Sequence, residues 1–358
     1  MIIARALINK YRRLQYALCG RSQYGVMKPG QPCHIEPFKV DENRGDVVHP
    51  CVRYIPEGYE GHCWWLVYTP YFNADASMEN PILCYSDSNE PVPPTDWMVY
   101  CEVKGKPEKG YNSDPVLLYD GGKLYVFWRE YGTEGCERSG HKVATFGGIV
   151  KGRKIVNEFG PAVWSDDLEV DSEVSPTFLK IDDGFLCLAM HLQFHSKWIK
   201  RQHPILKSLL TILLSVTDLL GFCSQQKSFG IARWISNNIN KPFQYIDTVK
   251  FKNCNSLYRP WHMDFFEYQG RLYAIVQTNQ SNADLCLAYS DDYKQFTFYK
   301  NPLVTNAVIG KLGIYKPTAG VIEDRFYLYY TAEDADNRPL NKLYKTEMSF
   351  EKLIKAIQ

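Results

Sequence analysis

One sequence pattern recurs five times along the chain, and it constrains the fold more than any other feature. Each copy begins near a polar residue that is usually followed by proline, continues through an apolar stretch and a tight turn, and ends in an alternating, aromatic-rich strand. The copies are VVHPCVRYIPEGYEGHCWWLVYT from Val47, NSDPVLLYDGGKLYVFWRE from Asn112, EVSPTFLKIDDGFLCLAMH from Glu173, RPWHMDFFEYQGRLYAIVQT from Arg259 and GIYKPTAGVIEDRFYLYYTA from Gly313. Apolar and polar residues that alternate around a short turn are typical of a β-hairpin.

The spacing of the five copies indicates how the hairpins are assembled. Their polar residues, which we call the blade openers, are His49, Asp114, Ser175, His262 and Lys316, at intervals of 65, 61, 87 and 54 residues. Periods of this length, with about four strands each, are typical of propeller blades. We therefore predict an all-β chain with a five-bladed β-propeller, in preference to a two-sheet sandwich, which also has regularly spaced short strands.

The repeat also predicts the division of the chain. Residues 46–350 carry the propeller, residues 1–45 are an N-terminal extension expected to brace one face, and residues 351–358 are a C-terminal tail. The long third interval contains a helical insertion in blade 3 at about residues 199–227, with apolar residues at helical spacing between 204 and 222. This spacing favours an amphipathic helix that packs on the domain, with membrane or partner contact as the alternative.

Further strand-like segments follow each hairpin. Residues 81–86, 141–145, 230–234, 284–289 and 342–346 are predicted to be third strands, and residues 295–299 an outer strand. Each of the five third-strand segments follows its hairpin in the sequence, as the next strand of a blade does.

Composition argues against several functional classes. The formal net charge is +1, with 41 basic and 40 acidic residues, so the chain has no overall electrostatic attraction to nucleic acid or to an anionic membrane. The 11 cysteines include no CxxC pair, which argues against a disulfide framework or a structural zinc site. The sequence shows neither a signal peptide nor a transmembrane segment, so we expect a reducing, cytoplasmic location. No motif predicts a cofactor or a metal site, and the oligomeric state stays open.

The blade openers predict one polar central pocket. The innermost strand of each propeller blade runs along the central channel, so the residues at the starts of these strands meet at one mouth. Four openers precede a proline, namely Pro50, Pro115, Pro176 and Pro317. The proline ring fixes the backbone and would hold the preceding side chain in one direction. Asp-Pro and Ser-Pro pairs also simply start strands, but repetition at equivalent positions favours a binding site.

Acidic and aromatic residues near the openers extend the candidate site. Glu173, Trp261 and Asp264 lie within two residues of an opener, and Asp46 lies three residues before His49. The aromatic residues that suit stacking on a sugar ring are Tyr71, Tyr111, Trp261 and Tyr315.

Two further candidates lie in blades 1 and 2, away from the openers in sequence. Glu79 precedes the third strand of blade 1, and Arg129 ends the second strand of blade 2. Arg129 could bind a carboxylate or a pair of sugar hydroxyls, or it could form a surface ion pair. Three histidines near the insertion match no metal-binding spacing and are expected to be core or surface residues, namely His191, His195 and His203.

Several segments carry a resemblance to a known group. YSDSNEPVPPTDW from Tyr85 and YSDDYKQFTFY from Tyr289 contain a Ser-x-Asp element before an aromatic segment. They resemble the recurring outer-strand element of the five-bladed glycoside hydrolases, the group of families 43, 32, 68 and 117. ENPILCYSDS and SDPVLLYDGGKLYVFWRE also look like propeller domains of polysaccharide-acting and phage-associated proteins. The resemblance covers roughly residues 46–350.

The resemblance implies a carbohydrate ligand and candidate catalytic roles. In that group a carboxylate base, an orienting Asp and a Glu acid surround the sugar, so it implies Asp114 as an acidic opener and Glu173 as a proton donor, with Asp264 as a third candidate. Family 43 places its Asp base on blade 1, where this chain has His49, with Asp46 three residues earlier. Histidine can serve as a base or an acid near neutral pH. The resemblance also leaves open a divalent ion in the channel, as in some relatives.

These inferences lead to a predicted function. We expect a glycan-active enzyme, most simply a glycoside hydrolase that acts on a polysaccharide or oligosaccharide in the central pocket. Asp114, Glu173 and His49 are its candidate catalytic residues. The candidate substrate-binding residues are Asp46, Glu79, Arg129, Ser175, Trp261, His262, Asp264 and Lys316. The alternatives are a non-catalytic carbohydrate-binding propeller of a capsule, envelope or phage-related system, and a protein scaffold that docks through residues 204–222.

Overall fold

Five β-sheets form a ring of blades around a central axis. The computed structural model describes residues 25–37, 46–72, 75–165, 171–193, 229–254, 260–278, 284–305, 314–334 and 340–358. The predicted helix at 204–222, with the insertion around it, lies outside the described residues, as do residues 1–24. The five-bladed β-propeller predicted from the repeat is confirmed.

Each blade consists of strands that follow one another in sequence, with the first strand innermost. Blade 1 contains β3 (Val47–Tyr59), β4 (His62–Pro70), β5 (Ile82–Ser86) and β6 (Asp96–Glu102). Blade 2 contains β7 (Tyr111–Asp120), β8 (Lys123–Tyr131), β9 (Val143–Val150) and β10 (Ile155–Ser165). Blade 3 contains β11 (Asp171–Ile181), β12 (Gly184–Gln193), β13 (Phe229–Ser236) and β14 (Gln244–Thr248).

The last two blades recruit strands from outside their own repeat. Blade 4 contains β16 (His262–Tyr268), β17 (Arg271–Gln277), β18 (Asp284–Ser290) and β19 (Gln295–Phe298), with β15 (Lys250–Lys252) parallel to β19 and β20 (Val304–Thr305) beside β18. Blade 5 contains β21 (Ile314–Ile322), β22 (Arg325–Asp334) and β23 (Leu340–Ser349). The predicted third strands and the predicted outer strand at 295–299 are therefore confirmed.

Contacts between the inner strands close the ring. β3 contacts β7, β7 contacts β11, β11 contacts β16, β16 contacts β21, and β21 contacts β3. Each inner strand thus has a neighbour on both sides, and side chains from all five blades can meet along the axis.

The N-terminal segment supplies the missing outer strand of blade 5. β1 (Gln31–Pro32) pairs antiparallel with β23, and β2 (His34–Ile35) pairs parallel with β6 of blade 1. The backbone N–H of Gly30 also donates to the hydroxyl of Tyr330 at 2.8 Å. Residues 31–35 therefore join the outer edges of blades 5 and 1.

The hairpin turns have the chemistry that the sequence predicts. Gly121 and Gly122, between β7 and β8, have φ values of 57° and 71°, in the left-handed region that glycine adopts without steric cost. The two-residue turn fixes the register of β7 against β8, and with it the position of Asp114 at the channel end of its strand.

The apolar side chains pack between neighbouring blades. One cluster spans blades 1 to 3, and others lie between blades 3 and 4, between 4 and 5, and between 5 and 1. Phe127 of blade 2 stacks on Phe178 of blade 3 with ring centroids 3.8 Å apart. Burial of an aromatic or branched side chain contributes about 1.5–3 kcal/mol, so these contacts hold the blades together and leave the channel to polar residues.

Two short α-helices and one 3₁₀ turn complete the described structure. The helices are α1 (Glu134–Ser139) and α2 (Phe350–Ile357), and the 3₁₀ turn is Ala76–Met78. Residues 351–358, expected to be a C-terminal tail, form most of α2, which buries Phe350, Leu353 and Ile357 against blades 4 and 5. None of the helices within the described ranges has the length and apolar character needed to cross a membrane.

Candidate functional site

The blade openers lie at irregularities of their strands. In blades 1, 2, 3 and 5 the register of the inner strand shifts at the opener and its proline. The φ angles of His49, Asp114 and Ser175 are 53°, 48° and 49°, in a region that residues other than glycine rarely adopt. His262, which Met263 follows in place of proline, lies in a strand of unbroken register. A bulge of this kind re-aims a side chain, so the repeated proline marks the sites where the strand turns the opener out of its regular pleat.

Asp114 is the centre of a polar cluster that three blades share. It is fully buried, and its Oδ2 accepts a hydrogen bond from Nε of Arg129 at 2.7 Å. Its Oδ1 accepts from the hydroxyl of Ser175 at 2.6 Å and lies 3.2 Å from Nε2 of His49. Burial alone would raise the pKa of Asp114, but His49 and Arg129 hold it well below its ordinary value. Asp114 is therefore an ionised carboxylate whose oxygens are already bound.

His49 is a neutral imidazole with one nitrogen tied to that carboxylate. A carboxylate can only accept hydrogen bonds, so Nε2 of His49 carries the proton; it also lies 3.3 Å from the hydroxyl of Tyr315. Nδ1 is then the unprotonated nitrogen, and it has no hydrogen-bond partner among the described residues. Burial lowers the pKa of His49 to about 3, the charge of Lys316 acts in the same direction, and Asp114 opposes both.

His262 lies beside His49 and completes an aromatic wall. The rings of His49 and His262 meet edge to face with centroids 5.7 Å apart, and Tyr315 lies 4.7 Å from His262. Trp261 contacts the same ring at 5.9 Å. Burial, followed by the nearby His49, lowers the pKa of His262 well below its ordinary value. Neither ring nitrogen of His262 has a hydrogen-bond partner within the described part of the chain.

The backbone of Lys316 is hydrogen-bonded, while its ammonium group has no hydrogen-bond partner among the described residues. Its N–H donates to the side-chain oxygen of Gln277 at 2.7 Å, and only 3% of the residue is exposed. Its Nζ has no hydrogen-bond partner in the described structure. Burial lowers the pKa of Lys316, and the negative charge of Asp114 opposes that effect.

Glu79 is a buried carboxyl group next to the cluster. Its backbone carbonyl accepts from the N–H of Asn112 at 3.3 Å, and the next residue, Asn80, accepts from the side chain of Asn112 at 2.8 Å. Burial, followed by the charge of Asp114, raises the pKa of Glu79 to about 8, and Arg129 opposes the shift. Glu79 is thus protonated at pH 7, and its Oε2 has no hydrogen-bond partner among the residues described.

Glu173 is bound to a different residue. It lies opposite His191 in the register of β11 and β12, and its Oε1 is 2.5 Å from Nδ1 of that histidine. We call the blade openers, together with Arg129, Trp261 and Tyr315, the opener cluster. Asp114 is bound within this cluster and Glu173 is bound by His191, so the two carboxylates have separate partners.

Asp264 forms a separate network that ties four blades together. Its two oxygens accept from Nη1 and Nη2 of Arg53 at 2.8 and 2.6 Å. The hydroxyls of Thr318 and Thr177 donate to the same carboxylate at 2.5 and 3.4 Å. Burial alone would raise the pKa of Asp264, but Arg53 holds it below its ordinary value. This bidentate pair is the geometry of a structural cross-link along the inner strands.

The remaining predicted residues lie around this centre. Asp46 is buried directly before β3, and its carbonyl accepts from the N–H of Tyr71 at 3.3 Å. Tyr111, at the start of β7, stacks on Tyr131 with centroids 5.0 Å apart. No group of three or more His, Cys, Asp or Glu side chains in the described ranges is arranged to hold a metal ion.

The sequence did not identify two residues with defined contacts, and a third, His191, was expected to be a core or surface residue. The hydroxyl of Ser113 accepts from Arg129 at 3.0 Å, Arg53 binds Asp264, and His191 binds Glu173. Counting outward from the Asp-Asp-Gly turn of blade 3 places residue 192 opposite Glu173, and the irregularity between Val174 and Thr177 shifts the partner to His191, so the turn alone does not identify this pair. Arg53 interrupts an apolar inner strand, which is the signal of a paired buried charge.

Comparison with known proteins shows similarity only at the level of structure. No protein family matches the sequence, and no curated protein matches it. An N-acetylgalactosamine deacetylase from F. plautii, in complex with blood group B trisaccharide, is 15% identical with a TM-score of 0.66 over 92% of this chain and 97% of that one. A GH43_1 enzyme from Xanthomonas citri complexed with xylose is 13% identical with a TM-score of 0.54 over 85% and 88%. Zg3597, a family 117 glycoside hydrolase from Zobellia galactanivorans, is 10% identical with a TM-score of 0.51 over 92% and 93%.

These likenesses concern the fold. The first of these three proteins is a deacetylase, and the other two belong to glycoside hydrolase families 43 and 117. The chain is a five-bladed β-propeller of the type found in that group, with a buried polar cluster at the ends of its inner strands.

Proposed function

We propose that the chain is a glycan-active enzyme that hydrolyses a glycosidic bond at the opener cluster, with Glu79 as general acid and His49 as general base. One observation carries the proposal. Two carboxyl groups near the same arginine have opposite protonation states at neutral pH: Asp114 is ionised, and Glu79 keeps its proton up to about pH 8. Environments that push the pKa values of two acids apart are a means by which enzymes assign acid and base roles.

Glu79 has the properties of the proton donor. A general acid must be protonated at the working pH and must have an oxygen free to reach the leaving group. Glu79 meets both requirements, since its pKa is raised and its Oε2 has no partner among the described residues. Glu173, the proton donor suggested by the sequence, is instead bound to His191.

His49 and Asp114 together have the properties of a base and its orienting partner. Asp114 fixes the Nε2–H tautomer of His49 and leaves Nδ1 to take a proton from water. The imidazolium that forms would then be stabilised by the adjacent carboxylate, as in other His–Asp pairs. Arg129 and Ser175 keep Asp114 in place while this happens.

The sugar would be held by the aromatic and cationic side chains of the same cluster. Trp261 and Tyr315 are only partly buried and flank His262, so their ring faces can receive the apolar face of a sugar. We assign substrate binding to His262 and Lys316, whose polar side-chain atoms are without partners among the described residues.

The proposal is tested with a panel of polysaccharides and oligosaccharides, with release of new reducing ends as the readout. Glu79→Gln should lower turnover by about 10²–10⁴-fold, because general acid catalysis contributes about that much. Glu158→Gln, at an exposed carboxyl group paired with Lys104, is the matched control and should retain activity. Wild-type turnover should fall as the pH rises through about 8, where Glu79 loses its proton. Unchanged turnover in Glu79→Gln rules out its role, and glycan binding without any product favours a non-catalytic carbohydrate-binding propeller.

A second candidate is hydrolysis of an acyl group on a sugar. The likeness to the N-acetylgalactosamine deacetylase extends over nearly the whole of both chains, and a His–Asp pair beside a lysine also suits attack of water on an amide. Release of acetate from N-acetylated glycans, without new reducing ends, would favour this reaction over glycoside hydrolysis.

A further inference from the structure

Among the charged groups described at the opener cluster, one positive charge has no negative charge paired with it. At pH 7 Asp114 is ionised and is paired with Arg129, whereas Glu79 is protonated and His49 is neutral. Asp264, whose charge also acts on Lys316, is paired with Arg53. The ammonium group of Lys316 therefore has no counter-ion among the described residues.

Among the described residues, the other buried arginine and lysine side chains have partners, and Lys316 differs from them. Arg129 binds Asp114, Arg233 binds Asp247, and Nζ of Lys345 donates to a backbone carbonyl at 2.7 Å. A buried ammonium group without partners loses its hydration and gains nothing in return, which is costly. The described residues provide a partner for the other buried arginine and lysine side chains but not for Lys316. This difference points to a partner of Lys316 that arrives from solution.

We propose that the glycan unit bound at the opener cluster carries a negative charge, the carboxylate of a uronic acid or a sulfate ester, and that Lys316 is its counter-ion. This inference rests on the proposed function, since it names the substrate class of the same site. A neutral sugar hydroxyl would accept a hydrogen bond from Lys316 but would leave the charge uncompensated. An oxyanion supplies both the hydrogen-bond acceptor and the compensating negative charge. The ring nitrogens of His262, which have no hydrogen-bond partner among the described residues, lie in the same cluster, and the protonated one can donate a further hydrogen bond to the anion.

Binding, rather than turnover, provides the test. The probes are oligosaccharides rich in uronic acid and oligosaccharides rich in sulfate, each matched with its carboxyl-reduced or desulfated counterpart, and affinity is measured by calorimetry. Wild type should prefer the charged member of at least one pair by about 30-fold or more, the effect expected of a buried charge pair. A preference within the uronic acid pair would identify the bound group as a carboxylate, and a preference within the sulfated pair would identify it as a sulfate.

Two lysine variants assign that preference. Lys316→Met should abolish it, and Lys104→Met, at a half-exposed lysine paired with Glu158, should retain it. Lys316→Met should also raise the melting temperature of the ligand-free protein, because it removes an unpaired buried charge, so loss of binding would not reflect unfolding. If wild type shows no preference for a charged member of any pair, or Lys316→Met keeps the preference, the proposal is overturned.

The outcome separates this inference from the proposed function. Charged glycans that bind through Lys316 without being hydrolysed would support the inference and contradict the proposed hydrolysis. Hydrolysis of neutral glycans by wild type, with no preference for the charged member of any pair, would do the opposite.

Discussion

Replacement of Glu79 by glutamine should change how the stability of the protein depends on pH. The folded protein raises the pKa of Glu79 from 4.5 to about 8, chiefly through burial and then through Asp114. Above pH 4.5 the unfolded chain releases this proton while the folded protein keeps it. The contribution of Glu79 to stability is therefore fully present below pH 4.5 and is lost as the pH rises to about 8.

The size of the effect follows from the width of this window. Each pH unit well inside it corresponds to about 1.4 kcal/mol, and the slope falls by half at each end. Wild type should therefore lose about 4 kcal/mol between pH 4.5 and 8 through this group, and about 2 kcal/mol of it above pH 6.5. Glutamine resembles the protonated acid and does not titrate. The free energy of unfolding of Glu79→Gln minus that of wild type should thus increase with pH by these amounts.

The comparison with wild type is needed because His49 acts in the opposite direction. Its pKa is lowered from 6.5 to about 3, so its contribution to stability is present above pH 6.5 and is lost as the pH falls toward 3. Between pH 4.5 and 6.5 the effects of Glu79 and His49 oppose each other in the wild-type curve. Both proteins contain His49, so its contribution cancels when the free energy of unfolding of wild type is subtracted from that of Glu79→Gln.

Urea unfolding followed by tryptophan fluorescence at pH 5, 6, 7 and 8 measures the difference. Glu158→Gln is the control, because its exposed carboxyl group should leave the difference from wild type constant within about 0.5 kcal/mol. A difference for Glu79→Gln that stays equally constant, or that decreases with pH, would refute the raised pKa and with it the role of Glu79 as acid.

Three further substitutions test the contacts that hold the site. Arg53→Met should destabilise the protein by about 3 kcal/mol or more in urea unfolding, because it leaves Asp264 buried without its cation, and adding Asp264→Asn should recover part of the loss. Ser175→Ala removes a hydrogen bond to the Asp114 carboxylate and should cost about 1.5–3 kcal/mol by the same measurement. Phe350→Ala should lower the free energy of unfolding by about 3–5 kcal/mol, since this ring is buried between blades 4 and 5, and a loss below about 1 kcal/mol would contradict that packing.

The fold could be predicted from the sequence because each blade repeats the same local rules. The opener, the turn and the alternating strand recur, and five copies at similar spacing allow few architectures. What the repeat could not reveal is the outer strand of blade 5, since residues 31–32 lie 308 positions or more from β23 and two strand residues carry no pattern of their own. The pairing of so short a segment depends on the open edge of β23 that it covers, and this edge exists only in the folded blade.

The candidate site was predictable in position and less so in chemistry. The openers identified Asp114, His49 and Lys316 as neighbours, because equivalent positions of a repeat converge on the axis. The sequence ranked Glu173 above Glu79 as proton donor, since only the structure shows that His191 binds the first and that Asp114 and burial act on the second. Protonation states depend on three-dimensional neighbours, which residue type and spacing do not specify.

The charge of Lys316 connects substrate binding to the chemistry proposed for His49. Burial is the main cause of the low pKa of His49, and the charges of Lys316 and Arg129 add to it. Arg129 is already neutralised by Asp114, so Lys316 is the charge that a bound anion would change. An anionic sugar paired with Lys316 would therefore raise the pKa of His49 toward the range in which it accepts a proton from water. A neutral sugar in the same place would leave His49 a weak base, so the cluster would select its substrate by activating the base as well as by binding.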